Sequence, residues 1–395
     1  MPRPTLQRLL AGLIVLVPLL FVLGLWLGGH PGSLPAPVRD VFVEEKVRTL
    51  DDALTIIEDN YYRPVKRSQL VDDSLAGAVS RLNDRFSTYL SPREFERFQL
   101  SSHGAFSGVG MEVTEIPQGL RVTRVFPDSP ARREGIRVGD RIVGVDGRSL
   151  AGRSSARSTE LIRGRPGTFV TLTLTRDGRR RTLRVKRERV EAPSVTARLR
   201  TVDGRKLGVV ALSGFTSGAH GEVRDAVDRL LERGAKGIVL DLRGNGGGLL
   251  VEAVLTASVF IPEGTIVTTD GRNRPRRTYR ATGGAIRRSI PVVVLVDEGS
   301  ASASEIVAAA VRDRRRGKVV GTRTFGKGVF QEVRELPNGG ALDITVGEYF
   351  TPSGENLGGG GTRRGGGVRP RVRASDDPDT RRDEALDAAL RELER

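Results

Sequence analysis

Apolar residues recur at helical spacing through Val41, Val47, Leu50, Leu54 and Ile57, and again through Leu70, Leu75, Val79 and Leu82. This predicts a helical region over 38–101, with a helix starting near Ser91, where a serine is followed by Pro92 and Glu94. From Ser102 the pattern changes to short alternating runs: Ser107–Val113, Leu120–Val125 and Asp140–Gly147, the last ending in a tight Asp146-Gly147 turn. Val170–Thr175 and Arg181–Lys186 flank Asp177-Gly178 and read as a hairpin. From 191 strands and helices alternate: Leu207–Leu212, Glu222–Glu232, Gly237–Leu242, Leu249–Phe260, Val292–Val296 and Ser304–Arg312. That alternation predicts an α/β layered core over 191–373, with sites at the strand ends. Gly358–Gly367 reads as a mobile loop and Asp383–Arg395 as a polar closing helix within 374–395.

One block fits neither period. Leu9–Gly29 carries no charge and follows Arg3 and Arg8, so residues 1–30 read as a transmembrane signal anchor with its positive end in the cytoplasm. The run exceeds the usual core of a cleaved signal peptide, the rival reading. In either case the rest of the chain is expected outside the cytoplasm: on a bacterial cell membrane as a single-pass protein, or exported if the segment is cleaved.

The 395 residues suffice for several domains, and 38% hydrophobic with 28% charged residues is ordinary for a folded chain. A net charge of +16 invites a nucleic-acid reading, but the arginines are dispersed and lack interleaved aromatics, so no nucleic-acid partner is expected. There is no Cys, which excludes a thiol nucleophile, and His occurs only at 30, 103 and 220. No cofactor and no metal is implied. Lys is scarce, seven of the 64 basic residues. A lysine amine can lose its proton when buried and act as a base, whereas guanidinium cannot.

The ordered set Gly108-Val109-Gly110-Met111, Phe126-Pro127-Asp128-Ser129-Pro130, Leu161-Ile162-Arg163-Gly164 and Pro166-Gly167-Thr168 resembles a PDZ domain spanning 102–190. The turn at Gly108, Val109, Gly110 and Met111 can aim consecutive N–H groups at a terminal carboxylate while a strand edge pairs with a peptide tail.

Three further loops follow predicted strands. Asp241–Leu249 turns through Gly244, Gly246, Gly247 and Gly248, whose amides suit a developing negative charge. Gly299-Ser300-Ala301-Ser302-Ala303-Ser304-Glu305 precedes a helix, and Thr324-Phe325-Gly326-Lys327-Gly328 precedes Gln331. Ser300 and Ser304 fit helix caps, Ser304 with Glu305 best. Together these motifs resemble the carboxyl-terminal processing proteases, PDZ-carrying serine proteases with a Ser/Lys dyad, over about 40–372. The resemblance implies a crotonase- or ClpP-like α/β core joined to a β-rich PDZ domain. It also implies Ser302 as nucleophile, Lys327 as general base, Gln331 orienting the lysine, and Gly248 and Ala303 amides as oxyanion hole. Protein substrates would be captured by their C-terminal tails, and Arg163 would couple tail binding to the active site. Gly246 stands where the family usually has proline, Arg371 where an Asp follows a proline, and Glu355 where arginine is usual.

A lysine of ordinary pKa is only about 0.1% neutral at pH 7.4, so this chemistry requires burial to depress it. Gly321–Lys327 also matches the start of a phosphate-binding loop, but Gly328 supplies no hydroxyl for magnesium and a strand follows instead of a helix. Asp241 and Arg243 read as structural and His220 as a surface-loop residue. A non-catalytic PDZ scaffold with a protease-like core is the alternative function. The helical 40–100 region and the terminal helix offer surfaces for a homodimer.

Overall fold

The computed structural model describes residues 45–362, 365–377, 379–380 and 382–394. Leu9–Gly29 lies outside them, and among the described residues no helix is long and apolar enough to cross a membrane. Two compact units divide at Ala78 and Val79. In the first, helix α1 (Glu45–Asn60) precedes α2 (Arg67–Ser80), which runs two residues past the division, and Arg67 donates to Thr55 Oγ1 at 3.0 Å.

The second unit holds the PDZ region and the α/β core. After β1 (Thr88–Leu90), helix α3 (Pro92–Ser102) starts as predicted: the Ser91 amide donates to Glu94 Oε2 at 2.9 Å in a capping box. Strand β2 (Ala105–Gly108) pairs with β9 (Glu188–Glu191), so the two ends of the PDZ region meet. Between them β3 (Met111–Ile116), β4 (Gly119–Val125), β5 (Arg141–Val145), β6 (Arg148–Ser149), β7 (Phe169–Arg176) and β8 (Arg179–Lys186) form one antiparallel sheet. The short α4 (Pro130–Arg133) and α5 (Ser155–Ile162) complete it. Asp146-Gly147 and Asp177-Gly178 turn with both φ positive, 46° and 77°, then 49° and 74°, as two-residue hairpins of the right twist require.

The core sheet has the order β10-β11-β12-β15-β16-β19. It comprises β10 (Val195–Val202), β11 (Arg205–Leu212), β12 (Ile238–Asp241), β15 (Val292–Val296), β16 (Lys318–Gly321) and β19 (Val372–Arg373), with only β10 antiparallel. Alternation sorts its side chains. Val210, Leu212, Leu240, Val292 and Val294 join the main core, packed with residues of α6 (Ala219–Glu232), α7 (Leu250–Ser258) and α8 (Ala303–Asp313). Val209, Val239, Val293, Leu295 and Val320 share a second cluster with α9 (Glu384–Glu392). Leu386 and Leu390 of α9, with Leu393 just beyond it, are buried there, each burial contributing about 1.5–3 kcal/mol. The apolar face of this terminal helix is therefore occupied by its own chain, which corrects the expectation that it offers a dimer surface.

A second sheet, unforeseen except for the strand after Lys327, pairs β1, β13 (Thr265–Gly271), β14 (Arg274–Arg280), β17 (Val329–Glu335) and β18 (Ala341–Phe350). Through β18 it carries β1 beside the Lys327 loop. The described part of Gly358–Gly367 is packed against that loop, a correction to the mobile loop expected. Gly365 N donates to Gly326 O at 2.9 Å and Val368 N to Thr324 Oγ1 at 2.7 Å. The glycines are needed because the backbones touch: a Cβ on Gly328 would sit 2.8 Å from Gly358 Cα.

Candidate active site

Strand β15 is buried at all five positions and stops at Asp297, whose carboxylate accepts from Gly244 N, Gly299 N and Ser300 N at 2.8–3.0 Å. One side chain thereby ties the turn before α8 to the glycine loop after β12. Ser300 Oγ donates to Leu242 O and Ser304 Oγ to Asn245 O, both at 2.8 Å, adding two more ties. These serines are loop staples. The N-cap position belongs to Ser302, not to Ser300 or Ser304, because both of their hydroxyls are spent on the neighbouring loop. Ser302 has φ 54° and ψ −112°, a strained conformation for a residue with a Cβ, held at a sharp strand-to-helix turn as nucleophilic serines are in other hydrolases.

The glycine loop lies directly against this turn. Asn245, fully buried, donates to Leu212 O and accepts from Gly247 N, and its carbonyl accepts from Ala301 N. A Cβ on Gly247 would stand 2.9 Å from Ser302 Cβ and 3.1 Å from Ala303 N. Gly248, at φ 143°, pairs with Phe215: Phe215 N donates to Gly247 O and Leu249 N to Phe215 O. Among the described residues the Gly248 and Ala303 amides have no acceptor, so both are available to an anion at this turn.

Lys327 comes from the β16–β17 loop. Its Nζ donates to Gln331 Oε1 at 2.6 Å and stands 4.9 Å from the Phe86 ring centroid. Burial pushes the amine below its ordinary pKa, while Asp343, Asp84 and Glu305 pull it back upward. No hydrogen bond joins Nζ to Ser302 Oγ among the described residues. Instead the backbones of the two residues are pinned by Glu305, completely buried on α8. Its Oε2 accepts from Ser302 N at 2.8 Å and Lys327 N at 2.9 Å; its Oε1 accepts from Thr324 Oγ1 at 2.6 Å and Gly326 N at 2.7 Å. Burial raises the Glu305 pKa although these four donors oppose the rise.

In the PDZ region Gly108, Val109, Gly110 and Met111 line a cleft of about 370 Å³ together with Phe106, Phe126, Thr159 and Ile162. Arg163 lines it too, its guanidinium carbon 5.8 Å from the Phe106 ring centroid. The described contacts of Arg163 remain within this region. A different segment joins the PDZ ends to the glycine loop: Ser217 N donates to Ser102 O, and Ser194 Oγ lies 2.6 Å from Thr216 Oγ1. Ser102 and Ser194 flank the PDZ region, and Phe215, next to Thr216 in the chain, is the residue paired with Gly248.

The sequence compares with known proteins in the same order of domains. Residues 206–370 match the description Peptidase family S41 and residues 107–186 match PDZ domain. A "Probable CtpA-like serine protease" of Staphylococcus aureus (strain bovine RF122 / ET3-1) is 34% identical over 348 residues, covering 85% of this chain and 68% of the relative. The chain belongs to peptidase family S41. The protein of the same description from Staphylococcus epidermidis RP62A is 32% identical over 321 residues, and the S41 chain spans 63% of its length. A solved structure, the photosystem II D1 C-terminal processing protease, superposes with a TM-score of 0.52 at 30% identity, covering 89% of this chain and 98% of that one.

Two departures from the usual S41 pattern fall in places the fold tolerates. Gly246 has open space around its Cβ position, and Glu355 pairs with Arg312 at 2.8 Å. Arg371 contributes its amide to Val319 O. Arg243 is structural as read: it binds Asp241, Asp376 and Asp383, the last being the cap of α9. His220 is corrected from a loop to the first turn of α6, where its Nδ1 meets the buried Glu252 at 2.8 Å. His103 caps α3. Sequence reasoning missed Glu305 as the staple, and missed Phe86 and Asp343 beside the amine. Only Glu305 had a local signal, its place three residues after Ser302 ahead of an apolar helix.

Proposed function

We propose that this chain is a serine endopeptidase that recognises C-terminal tails through its PDZ cleft and cuts with Ser302 and Lys327. The observation that carries this reading is Glu305 binding the backbones of both residues, which fixes a hydroxyl and a desolvated amine on adjacent loops. Neutral Lys327 takes the Ser302 proton as Oγ attacks the scissile carbonyl, and the Gly248 and Ala303 amides receive the oxyanion. The proton passes to the departing amine, and water then releases the acyl group. The Gln331 bond uses one N–H of Lys327 and leaves the lone pair of the neutral amine for the Ser302 hydroxyl, and since no Ser302–Lys327 hydrogen bond is formed in the structure, closing it is a step of substrate binding. Tail capture delivers the substrate, and the Ser102–Ser217 and Ser194–Thr216 contacts carry the PDZ position to the loop behind Gly248.

The alternative, a peptide-binding scaffold without turnover, draws on the same unformed Ser302–Lys327 bond. Purified full chain is incubated with an unfolded reporter ending in an apolar or a charged tail, beside Ser302→Ala and Lys327→Ala. Cleavage of the apolar-tailed reporter by wild type alone supports the protease. Equal tail binding by all three without cleavage supports the scaffold. Leu9–Gly29 as a membrane anchor, with the catalytic part extracytoplasmic, is tested by carbonate extraction and by protease access in intact cells. Self-association through the helical 40–100 region is tested by sedimentation.

A further inference from the structure

The segment Asn83–Ser87, between α2 and β1, belongs to none of the three catalytic loops, yet it reaches the lysine. Asp84 accepts from Phe86 N at 2.9 Å and from Ser87 Oγ at 2.5 Å, and the Thr345 hydroxyl faces it as one of the groups that hold its pKa down. Thr345 N donates to Ser87 Oγ at 3.0 Å. Thr345 lies opposite Gln331 in the β17–β18 pair, and its Oγ1 accepts from Gln331 Nε2 at 2.9 Å. The other end of that amide, Oε1, accepts from Lys327 Nζ.

The direction of this relay follows from donor counting. A hydroxyl has one proton and an ionised carboxylate has none. Facing Asp84, Thr345 must donate to it, so toward Gln331 the hydroxyl can only accept. Gln331 must then turn its NH₂ to Thr345, which leaves its carbonyl oxygen toward Lys327. Either amide orientation would otherwise be open, and the reverse one would set an NH₂ against the lysine. Asp84 stays ionised for this purpose: burial works upward on it, but the Ser87 and Thr345 hydroxyls together with the Phe86 and Ser87 amides outweigh burial and hold it below the usual carboxylate range.

We propose that Asp84 is a positioning residue for Lys327, fixing through Thr345 and Gln331 which end of the Gln331 amide faces the amine. This rests on the Ser302/Lys327 reading above. The charged groups facing Lys327 are Asp84 on this segment, Asp343 on β18 and Glu305 on α8, with the Phe86 ring beneath; Arg85 lies over the Phe86 and Phe325 rings.

The test uses the full chain in detergent micelles, with Asp84→Asn, Asp84→Glu, Thr345→Val and the Asp84→Asn/Thr345→Val double variant. Asp84→Asn and Thr345→Val should each lower kcat about tenfold or more with little change in KM, as misoriented groups do. The double variant should be no worse than the poorer single one, because both break one relay. Their pH profiles should differ. Asp84→Asn removes a negative charge that favours the ammonium, so the rising limb of kcat moves to lower pH, whereas Thr345→Val leaves the limb in place. Asp84→Glu should recover part of the rate. An Asp84→Asn kcat within twofold of wild type, multiplicative losses in the double variant, or an unmoved limb would overturn the proposal. Loss of cleavage in Ser302→Ala checks the underlying reading separately. If wild type shows no turnover, titration of ¹³Cε-lysine signals in the seven-lysine chain still decides: Lys327 must titrate lower in Asp84→Asn and unchanged in Thr345→Val.

Discussion

Gly248→Ala is the sharpest test of the oxyanion assignment, because the structure states what the added methyl meets. At φ 143° the Cβ would overlap the Phe215 carbonyl oxygen and lie 2.8 Å from its carbon, both backbone atoms with no side-chain rotamer to yield. Relief requires a movement of about 1 Å, a misplacement of the size that costs about 100-fold in positioning, and loss of an oxyanion donor costs about 100–1,000-fold. The same movement breaks the Phe215–Gly248 bridge. Two backbone hydrogen bonds at about 1 kcal/mol each and left-handed strain of about 1–3 kcal/mol predict a stability loss of about 3–5 kcal/mol. In a unit this large each kcal/mol lowers Tm by about 2–4 °C. The assay is kcat/KM on a tail-bearing reporter, read well below the lowered Tm, with Gly246→Ala as control. Gly246 lacks a positive φ and has nothing within 4 Å of a Cβ, so its substitution should leave activity within about twofold. A Gly248→Ala protein that loses stability yet keeps activity within threefold would remove the Gly248 amide from the mechanism.

Two other perturbations address the lysine and the terminal helix. Burial sets the folded pKa of Lys327 below its unfolded value, so the folded chain gives up a proton first and stability must rise with pH between the two values. In a Ser302→Ala background, Lys327→Met should be more stable than its parent at neutral pH, and the gap should narrow toward pH 10.5; parallel stability curves would contradict a depressed amine. Arg243→Met leaves Asp241 and Asp383 unpaired in a partly buried network and should cost about 3–5 kcal/mol, with α9 gaining faster hydrogen exchange than the PDZ sheet; uniform exchange would deny that Arg243 anchors that helix.

What the sequence made legible is what its chemistry states locally. Buried runs such as Val292–Val296 followed by small residues announce a strand and a site-bearing turn, and Asp-Gly pairs announce the PDZ hairpins. Strand β10 was missed because VTARLRTV carries its arginines on an exposed edge, although Asp203-Gly204, at φ 44° and 77°, offered the same hairpin signal. The hairpin β13–β14 was hidden likewise by GRNRPRRTYR, whose arginines face outward. Glycine permits both freedom and close approach, so the described part of the late glycine loop, expected to be mobile, is packed instead, and only the partner backbone at Gly326 and Gly328 distinguishes the two.

The base side of the site shows a deeper limit. The S41 match covers 206–370, and it contains Ser302, Lys327, Gln331 and Glu305. Yet the charge and orientation of Lys327 also depend on Asp84 and Phe86, which precede the PDZ region and reach the amine only because β1 adds to β18. The PDZ region is thus inserted between two parts of the candidate site rather than appended to one side of it. Its ends bond to Ser217 and Thr216, and Phe215 beside them holds Gly248. In the proposed protease a tail that shifts the PDZ region bears on the oxyanion side through Phe215, while the segment Asn83–Ser87, joined to the same region through β1 and α3, bears on the lysine side. Both halves of the proposed chemistry therefore lie within one connection of the PDZ region, which is the arrangement the proposed tail-dependent protease needs if binding is to align Ser302 and Lys327.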